Sequence, residues 1–209
     1  MSRRKSSYRR KRRNAKAKTR IKRMRMPKVR SKLEYLPEIL GWTFRIAIVC
    51  LLAFVYVWYF GQRISTVGDS MNPVLKNGDV VLVNRFVYNA SAPKRGDIIA
   101  FKPKGNENAH YYIKRIIGLP GESVEIIENC IYINGEKLEE EYKTTEISDV
   151  GIAFEKIQLG SDEYFVLGDD RENSEDSRNA DVGNVKRDYI YGKVWFVSAP
   201  KSSFGFVKE

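Results

Sequence analysis

Residues Ile46 to Phe60, IAIVCLLAFVYVWYF, carry no charge and no helix breaker, and they come after an N-terminal segment, residues 1–32, whose only charged side chains are basic. As helix this run is about 22 Å long, short of the ~30 Å hydrocarbon core of a bilayer. Extending it back through Phe44, Trp42 and Leu40 supplies the missing length, with Arg45 able to snorkel to the headgroups. One membrane span over residues 39–60 is predicted, with Trp42 near one end and Trp58 and Tyr59 at the other, where interfacial aromatics sit. A cleavable leader would need a small-x-small site after Phe60, and none follows; a buried core helix would show polar positions along one side. The span therefore divides the chain into residues 1–38 on one side of a membrane and residues 61–209 on the other.

The charge is divided in the same way. The net charge of +11 invites a nucleic-acid reading, but residues 1–32 hold 17 Lys and Arg and no acid, which leaves the remainder at −6. A mildly acidic folded part does not offer an extended nucleic-acid surface, so nucleic acid is not an expected partner. The basic segment has almost nothing to bury and reads as a disordered tail. Placed ahead of a span, it marks the cytoplasmic side and is attracted to anionic membrane lipid. Cys50 lies within the span and Cys130 far beyond it, so no disulfide between them is expected.

After Gly61 the pattern changes to short β-branched and aromatic runs separated by Gly, Pro, Asn and Asp. Asp79 to Tyr88, Asp97 to Lys102, Tyr111 to Ile117, Ser123 to Ile127, Ile131 to Ile133, Tyr164 to Leu167 and Tyr189 to Ser198 read as strands. Asn134-Gly135 is a hairpin turn by composition. No amphipathic helix of ordinary length is apparent, and the fold class is an all-β, barrel-like or sandwich domain behind one N-terminal transmembrane helix.

Within that domain one hydroxyl draws notice. Gly68 permits a tight turn before Ser70, Pro73 fixes a bend after it, and Asn77-Gly78-Asp79 leads into a strand, so Ser70 is presented at a loop edge. Gly, Asp, Ser, Asn and Pro in sequence also make an ordinary loop. A serine becomes a nucleophile only beside a positioned base. The chain has one histidine, His110, in a polar run, so a Ser-His-Asp site would have to use it. A desolvated lysine is the other base that can be neutral near pH 7. Tyr112 to Ile117, YIKRII, sets Lys114 and Arg115 on opposite faces of a strand, so any buried face receives one of them. Lysine can lose its proton there, whereas arginine would need a carboxylate partner. A second polar cluster, GDDRENSEDSR from Gly168 to Arg178, follows the apolar strand EYFVL and suits either a solvated loop or a hydrogen-bonded network.

Four stretches in order, GDSMNPVL, RGDIIAF, YIKRIIGLPGE and GDDRENSEDSR, after one N-terminal span, resemble the successive boxes of the bacterial type I signal peptidases. The resemblance covers Gly61 to about Ser198 and leaves the basic tail outside. It implies the all-β signal peptidase fold, with a small inserted subdomain at roughly 123–162. It also implies a membrane-anchored endopeptidase that cleaves signal peptides from exported preproteins, near the export translocon, with the catalytic domain outside the cytoplasm. Ser70 corresponds to the nucleophile and Lys114 to the general base; Ser174 would hydrogen-bond and orient the lysine, and Asp176 and Arg178 would form a supporting ion pair. Met71, Leu75 and Ile113 fall where the family lines its shallow substrate pockets. The oxyanion site is expected from the Ser70 backbone N–H, together with the position of Gly68, where some members carry a serine and the Gram-positive branch a glycine. No metal or cofactor is expected. Val74, Asp170 and Glu172 depart from the usual pattern conservatively.

Three other readings share part of this pattern. Repressor-type self-cleaving proteases have a similar serine loop and lysine, but carry a DNA-binding domain where this chain has its span. A conjugative pilin-processing peptidase would use the same dyad. An anchored β-domain that binds preproteins without cleaving them would have no use for a lysine set opposite a serine.

Overall fold

The computed structural model describes residues 35–207. The tail read as disordered, up to residue 34, lies outside the described residues. The first element, α1, is the helix Leu36–Phe60. It starts three residues before the expected boundary at residue 39, because Pro37 is tolerated in a first turn and Glu38 there opposes the positive end of the helix dipole. Its large apolar side chains are uncovered by protein, Leu40 at 66 % and Leu52 at 63 % exposed. With a mean hydropathy of 2.1 over an 18-residue window within Leu36–Tyr59, it is the one helix among the described residues long and apolar enough to cross a membrane. A helix apolar on all sides and covered by no protein is solvated by lipid. The boundary between the chain's two compact units falls inside it, after Cys50.

The remainder is sheet. In chain order the elements are β1 (Gln62–Ser65), β2 (Val80–Asn84), the one-turn helix α2 (Val87–Ala90), β3 (Ile98–Phe101), β4 (Tyr112–Gly118), β5 (Ser123–Ile127), β6 (Cys130–Ile133), β7 (Glu136–Lys137), β8 (Ile157–Gln158), β9 (Glu163–Leu167), β10 (Val185–Lys186), β11 (Ile190–Ala199) and β12 (Gly205–Phe206). An eight-stranded antiparallel sheet runs β1-β2-β11-β3-β4-β9-β10, with β12 on β11, and a four-stranded sheet runs β7-β6-β5-β8. The larger one curls as a half-barrel, so the all-β domain expected from the sequence is present. The smaller sheet lies within the range read as an insertion, yet its core is shared: Val124, Ile126, Ile131 and Ile133 pack with Ile117, Phe165 and Leu167 of the larger sheet.

One detail differs from the sequence reading, and one matches it. The strand expected to reach Tyr88 ends at Asn84, whose Oδ1 accepts the Phe86 N–H at 2.9 Å and the Val87 N–H at 3.1 Å. That side chain replaces the next ladder bond and turns the backbone into α2, which holds Tyr88. The hairpin at Asn134-Gly135 forms as read, both residues having positive φ, 53° and 85°.

β3 and β4 are the centre of the domain. Along β3, Ile98 and Ala100 join one apolar cluster with Met71, Leu75 and Ile113, while Ile99 and Phe101 join another with Ile116 and Val166. Side chains alternate across a strand, so a strand buried on both faces reads as a continuous apolar run, which IIAF is. This double burial governs the fate of the two cations on β4.

Candidate active site

Ser70 lies on the loop between β1 and β2, and that loop is fastened at both ends. The Thr66 N–H donates to the Asp79 carbonyl at 2.8 Å and its hydroxyl to the Lys76 carbonyl at 2.5 Å. Tight turns follow the serine, from Asn72 N–H to the Asp69 carbonyl and from Leu75 N–H to the Met71 carbonyl, each 2.8 Å. Met71 and Leu75 are 3 % and 1 % exposed. Burying side chains of that size stabilises by about 1.5–3 kcal/mol each, which pins the loop to the sheet beneath it. Gly68 has φ +82°, a left-handed conformation that only glycine adopts freely, and its N–H donates to Asn77 Oδ1 at 3.2 Å. The Gly68 N–H is thus already engaged, whereas among the described residues the Ser70 N–H has no acceptor.

Lys114 and Arg115 follow one another on β4, opposite Ile99 and Ile98 of β3. Strand alternation sends them to opposite faces, and because both faces are covered, both are buried, at 3 % and 0 % exposed. Their environments differ. Arg115 forms a bidentate pair with Asp169, at 2.7 and 2.8 Å, gives a third bond to the Gly96 carbonyl at 2.9 Å, and stacks on Tyr142 at 3.9 Å. Lys114 belongs to none of the ion pairs among the described residues, and its Nζ stands 5.9 Å from the Tyr112 ring centre. Burial therefore dominates and lowers its ammonium from 10.5 to about 8, against the attraction of Asp176, Glu175 and Asp169, with Arg178 acting in the same direction as burial.

The third component is the loop after β9. The Asp170 N–H donates to the Ser70 carbonyl at 3.1 Å, which ties this loop to the serine. Asp176 accepts Arg178 Nε and Nη2, both at 2.8 Å, and the Gly168 N–H at 3.1 Å. Both members of this pair are buried. Arg178 also reaches the Asp149 carbonyl at 2.7 Å. The sequence-based expectation that Ser174 hydrogen-bonds Lys114 is not met: the Ser174 hydroxyl is buried without a partner. It is wedged where a Cβ on Gly168 would stand 2.2 Å from its Oγ and 2.4 Å from the Ser70 carbonyl oxygen. Glycine at 168 is what permits the last loop and the serine loop to approach so closely.

These three parts meet in one cavity of about 410 Å³, whose lining includes Gly68, Ser70, Met71, Leu75, Ile113 and Lys114. Asp176, Arg178 and Ser174 stand behind it rather than in its wall. His110 also lines it, as does Glu175, which accepts the Tyr112 hydroxyl at 3.0 Å. Among the described residues no group of His, Cys, Asp and Glu is arranged to hold a metal ion. Sequence reasoning missed three contributors. Asp169 is the carboxylate that Arg115 was expected to require, and the dense acidic cluster was the only sign of it. Glu140 grips Arg171 at 2.9 and 2.5 Å, and Thr145 accepts the Arg171 N–H at 2.7 Å. Both lie in the low-pattern segment after β7, which gave no signal.

The chain is similar to proteins of one family. A family model described as signal peptidase, peptidase S26, matches residues 39–199. The chain is 37 % identical over 149 residues to signal peptidase I P of Bacillus subtilis subsp. natto, covering 68 % of this chain and 80 % of that one. It is 34 % identical over 182 residues to signal peptidase IB of Staphylococcus aureus strain COL, covering 80 % and 93 %. Among solved structures, a signal peptidase I from Enterococcus faecalis V583 matches with 36 % identity over 49 % of this chain and 97 % of that chain, at a TM-score of 0.40.

Proposed function

The chain belongs to the signal peptidase family, peptidase S26, whose members cleave signal peptides from preproteins, and we propose that it does so with Ser70 as nucleophile and Lys114 as general base. The observation that carries the assignment is one cavity walled by a loop-edge serine and by a buried lysine whose ammonium is lowered to about 8. A lysine at its ordinary value near 10.4 is neutral in fewer than about one molecule in a thousand at pH 7; at about 8 it is neutral in roughly one in ten. That population suffices for a base.

Neutral Lys114 takes the Ser70 proton as Oγ attacks the scissile carbonyl. The tetrahedral oxyanion is met by the Ser70 backbone N–H, which has no competing acceptor among the described residues. Gly68, with its N–H given to Asn77, contributes conformation at this point and not a donor. The Lys114 ammonium then returns its proton to the leaving amine, and the same lysine activates the water that hydrolyses the acyl-enzyme. Ser174, buried against Gly168, fills the close approach of the last loop to the serine loop. Asp176 and Arg178 hold the last loop in place. Met71, Leu75 and Ile113 form shallow apolar walls for small side chains ahead of the cut.

The protein is a single-pass membrane protein. Its basic tail supports an orientation with the N-terminus in the cytoplasm and the catalytic domain outside, where exported preproteins emerge at the translocon beside membrane lipid. Incubating the purified full-length protein with one labelled preprotein tests the activity. Wild type should release the mature form and Ser70→Ala should not; equal processing by both would overturn the assignment of the nucleophile.

A further inference from the structure

A second cavity, of about 680 Å³ and larger than the catalytic one, lies at the end of α1, with Trp58, Tyr59, Arg85, Lys102, Arg187 and Tyr191 in its wall. The Arg85 N–H donates to the Tyr59 carbonyl at 3.1 Å, so the last turn of the helix is tied to the residue that follows β2. Because Trp58 and Tyr59 close a helix that spans a membrane, the cavity stands at the level of the lipid headgroups.

Its charges are sorted. Arg85, Lys102 and Arg187 are half-buried, whereas the two acids of the wall, Glu107 and Asp188, are exposed. Among the described residues none of the three bases is paired with a carboxylate. Each is held against a tyrosine ring: Arg85 over Tyr191 at 4.6 Å, Lys102 over Tyr111 at 5.3 Å and Arg187 over Tyr88 at 5.6 Å. Arg187 donates to the Tyr88 carbonyl at 2.6 Å, and Lys102 Nζ donates to the Glu107 carbonyl. The Arg85 guanidinium makes no comparable bond among the described residues and retains its fork of donors. Three cations against two exposed acids, with no ion pair between them among the described residues, favour an anion, and the unengaged Arg85 guanidinium offers its N–H fork for bidentate binding of a phosphate.

We propose that this cavity binds the phosphate of an anionic phospholipid headgroup, with Arg85 as its principal ligand and Lys102 and Arg187 as flanking charges. The site is distinct from the attraction of the basic tail to lipid, because it lies on the other end of the helix. Tyr111 lines both cavities, so a bound lipid stands one side chain from the catalytic cavity.

The test uses the full-length chain in phosphatidylcholine vesicles doped with a photoactivatable phosphatidylglycerol, with cross-linked peptides mapped by mass spectrometry. Cross-links are expected within residues 102–111 and 187–191, displaced by unlabelled phosphatidylglycerol but not by phosphatidylcholine or millimolar inorganic phosphate. Arg85→Ala should lower cross-linking there about tenfold, the loss of a charged hydrogen bond, while leaving cross-links to the basic tail unchanged. Arg85→Lys, which keeps the charge but not the fork, should lower it by a smaller factor and serves as the deciding variant if Arg85→Ala melts early. Undiminished cross-linking in the deciding variant, cross-links confined to the tail, or displacement by inorganic phosphate as effective as by phosphatidylglycerol would overturn the proposal.

Discussion

Replacing Lys114 with methionine should remove activity and make the domain more stable at neutral pH. The side chain is 3 % exposed, outside every ion pair among the described residues, and methionine matches its length and much of its volume without a charge. Burial lowers its ammonium from 10.5 to about 8, a difference of roughly 2.5 units, and at 1.36 kcal/mol per unit the buried cation costs about 3 kcal/mol. Between those two values the unfolded chain holds a proton that the folded chain lacks, so the wild type gains stability as pH rises through this window. Below about 8 the full cost is present, and above about 10.5 it is gone. Lys114→Met carries no such cost, so its advantage should be near 3 kcal/mol at pH 7 and should vanish by about pH 10.5. Urea denaturation of both proteins in the same detergent at pH 7, 9 and 10.5 measures the difference, and other titrations cancel in it. A variant less stable than wild type at pH 7, or a difference that does not change with pH, would refute the claim that the lysine is held against its own desolvation.

Further outcomes follow from the surrounding residues. Arg178→Ala leaves the buried Asp176 carboxylate unpaired at a cost of order 3 kcal/mol, so melting temperature and activity should fall together; an inactive variant of unchanged stability would show a chemical role instead. Gly168→Ala places a Cβ 2.2 Å from Ser174 Oγ and 2.4 Å from the Ser70 carbonyl, and the displaced serine should lose about a hundredfold in kcat on a preprotein, a loss that unaltered turnover would contradict. Walls made by Met71, Leu75 and Ile113 exclude bulk by contact, so a preprotein with leucine immediately before the cut should be processed far more slowly than one with alanine. Protease added to intact protoplasts should digest the β-domain and spare the basic tail; the reverse pattern would invert the proposed orientation.

The span, the all-β character and the Asn134-Gly135 hairpin were legible because each is set by local pattern: uninterrupted apolarity, β-branched runs, and two residues that tolerate positive φ. The end of β2 was not, since Asn84 stops the strand through a side-chain bond that competes with the ladder, and strand propensity does not register such bonds. For β4 the period-two rule correctly separated Lys114 from Arg115, but it could not show that both faces are buried, which depends on two cores assembled from distant strands. An arginine at 115 demanded a carboxylate, yet its identity as Asp169, across the β4–β9 pairing, is a tertiary fact. Glu140 and Thr145 were invisible for the same reason. The pairing of Ser70 with Lys114 came from the resemblance of four ordered motifs, and no spacing rule would have brought the two into one cavity.

The pH dependence of kcat/KM on a preprotein, measured for wild type beside Lys114→Arg and His110→Ala, bears most directly on the central assignment, since His110 and Lys114, the two bases weighed from the sequence, line the same cavity. Wild type and His110→Ala should both rise through a limb centred near 8, the value to which burial lowers the lysine, and Lys114→Arg should be inactive because guanidinium does not give up its proton. Near-normal turnover by Lys114→Arg, or a rising limb that disappears in His110→Ala, would show that the proton of Ser70 goes elsewhere.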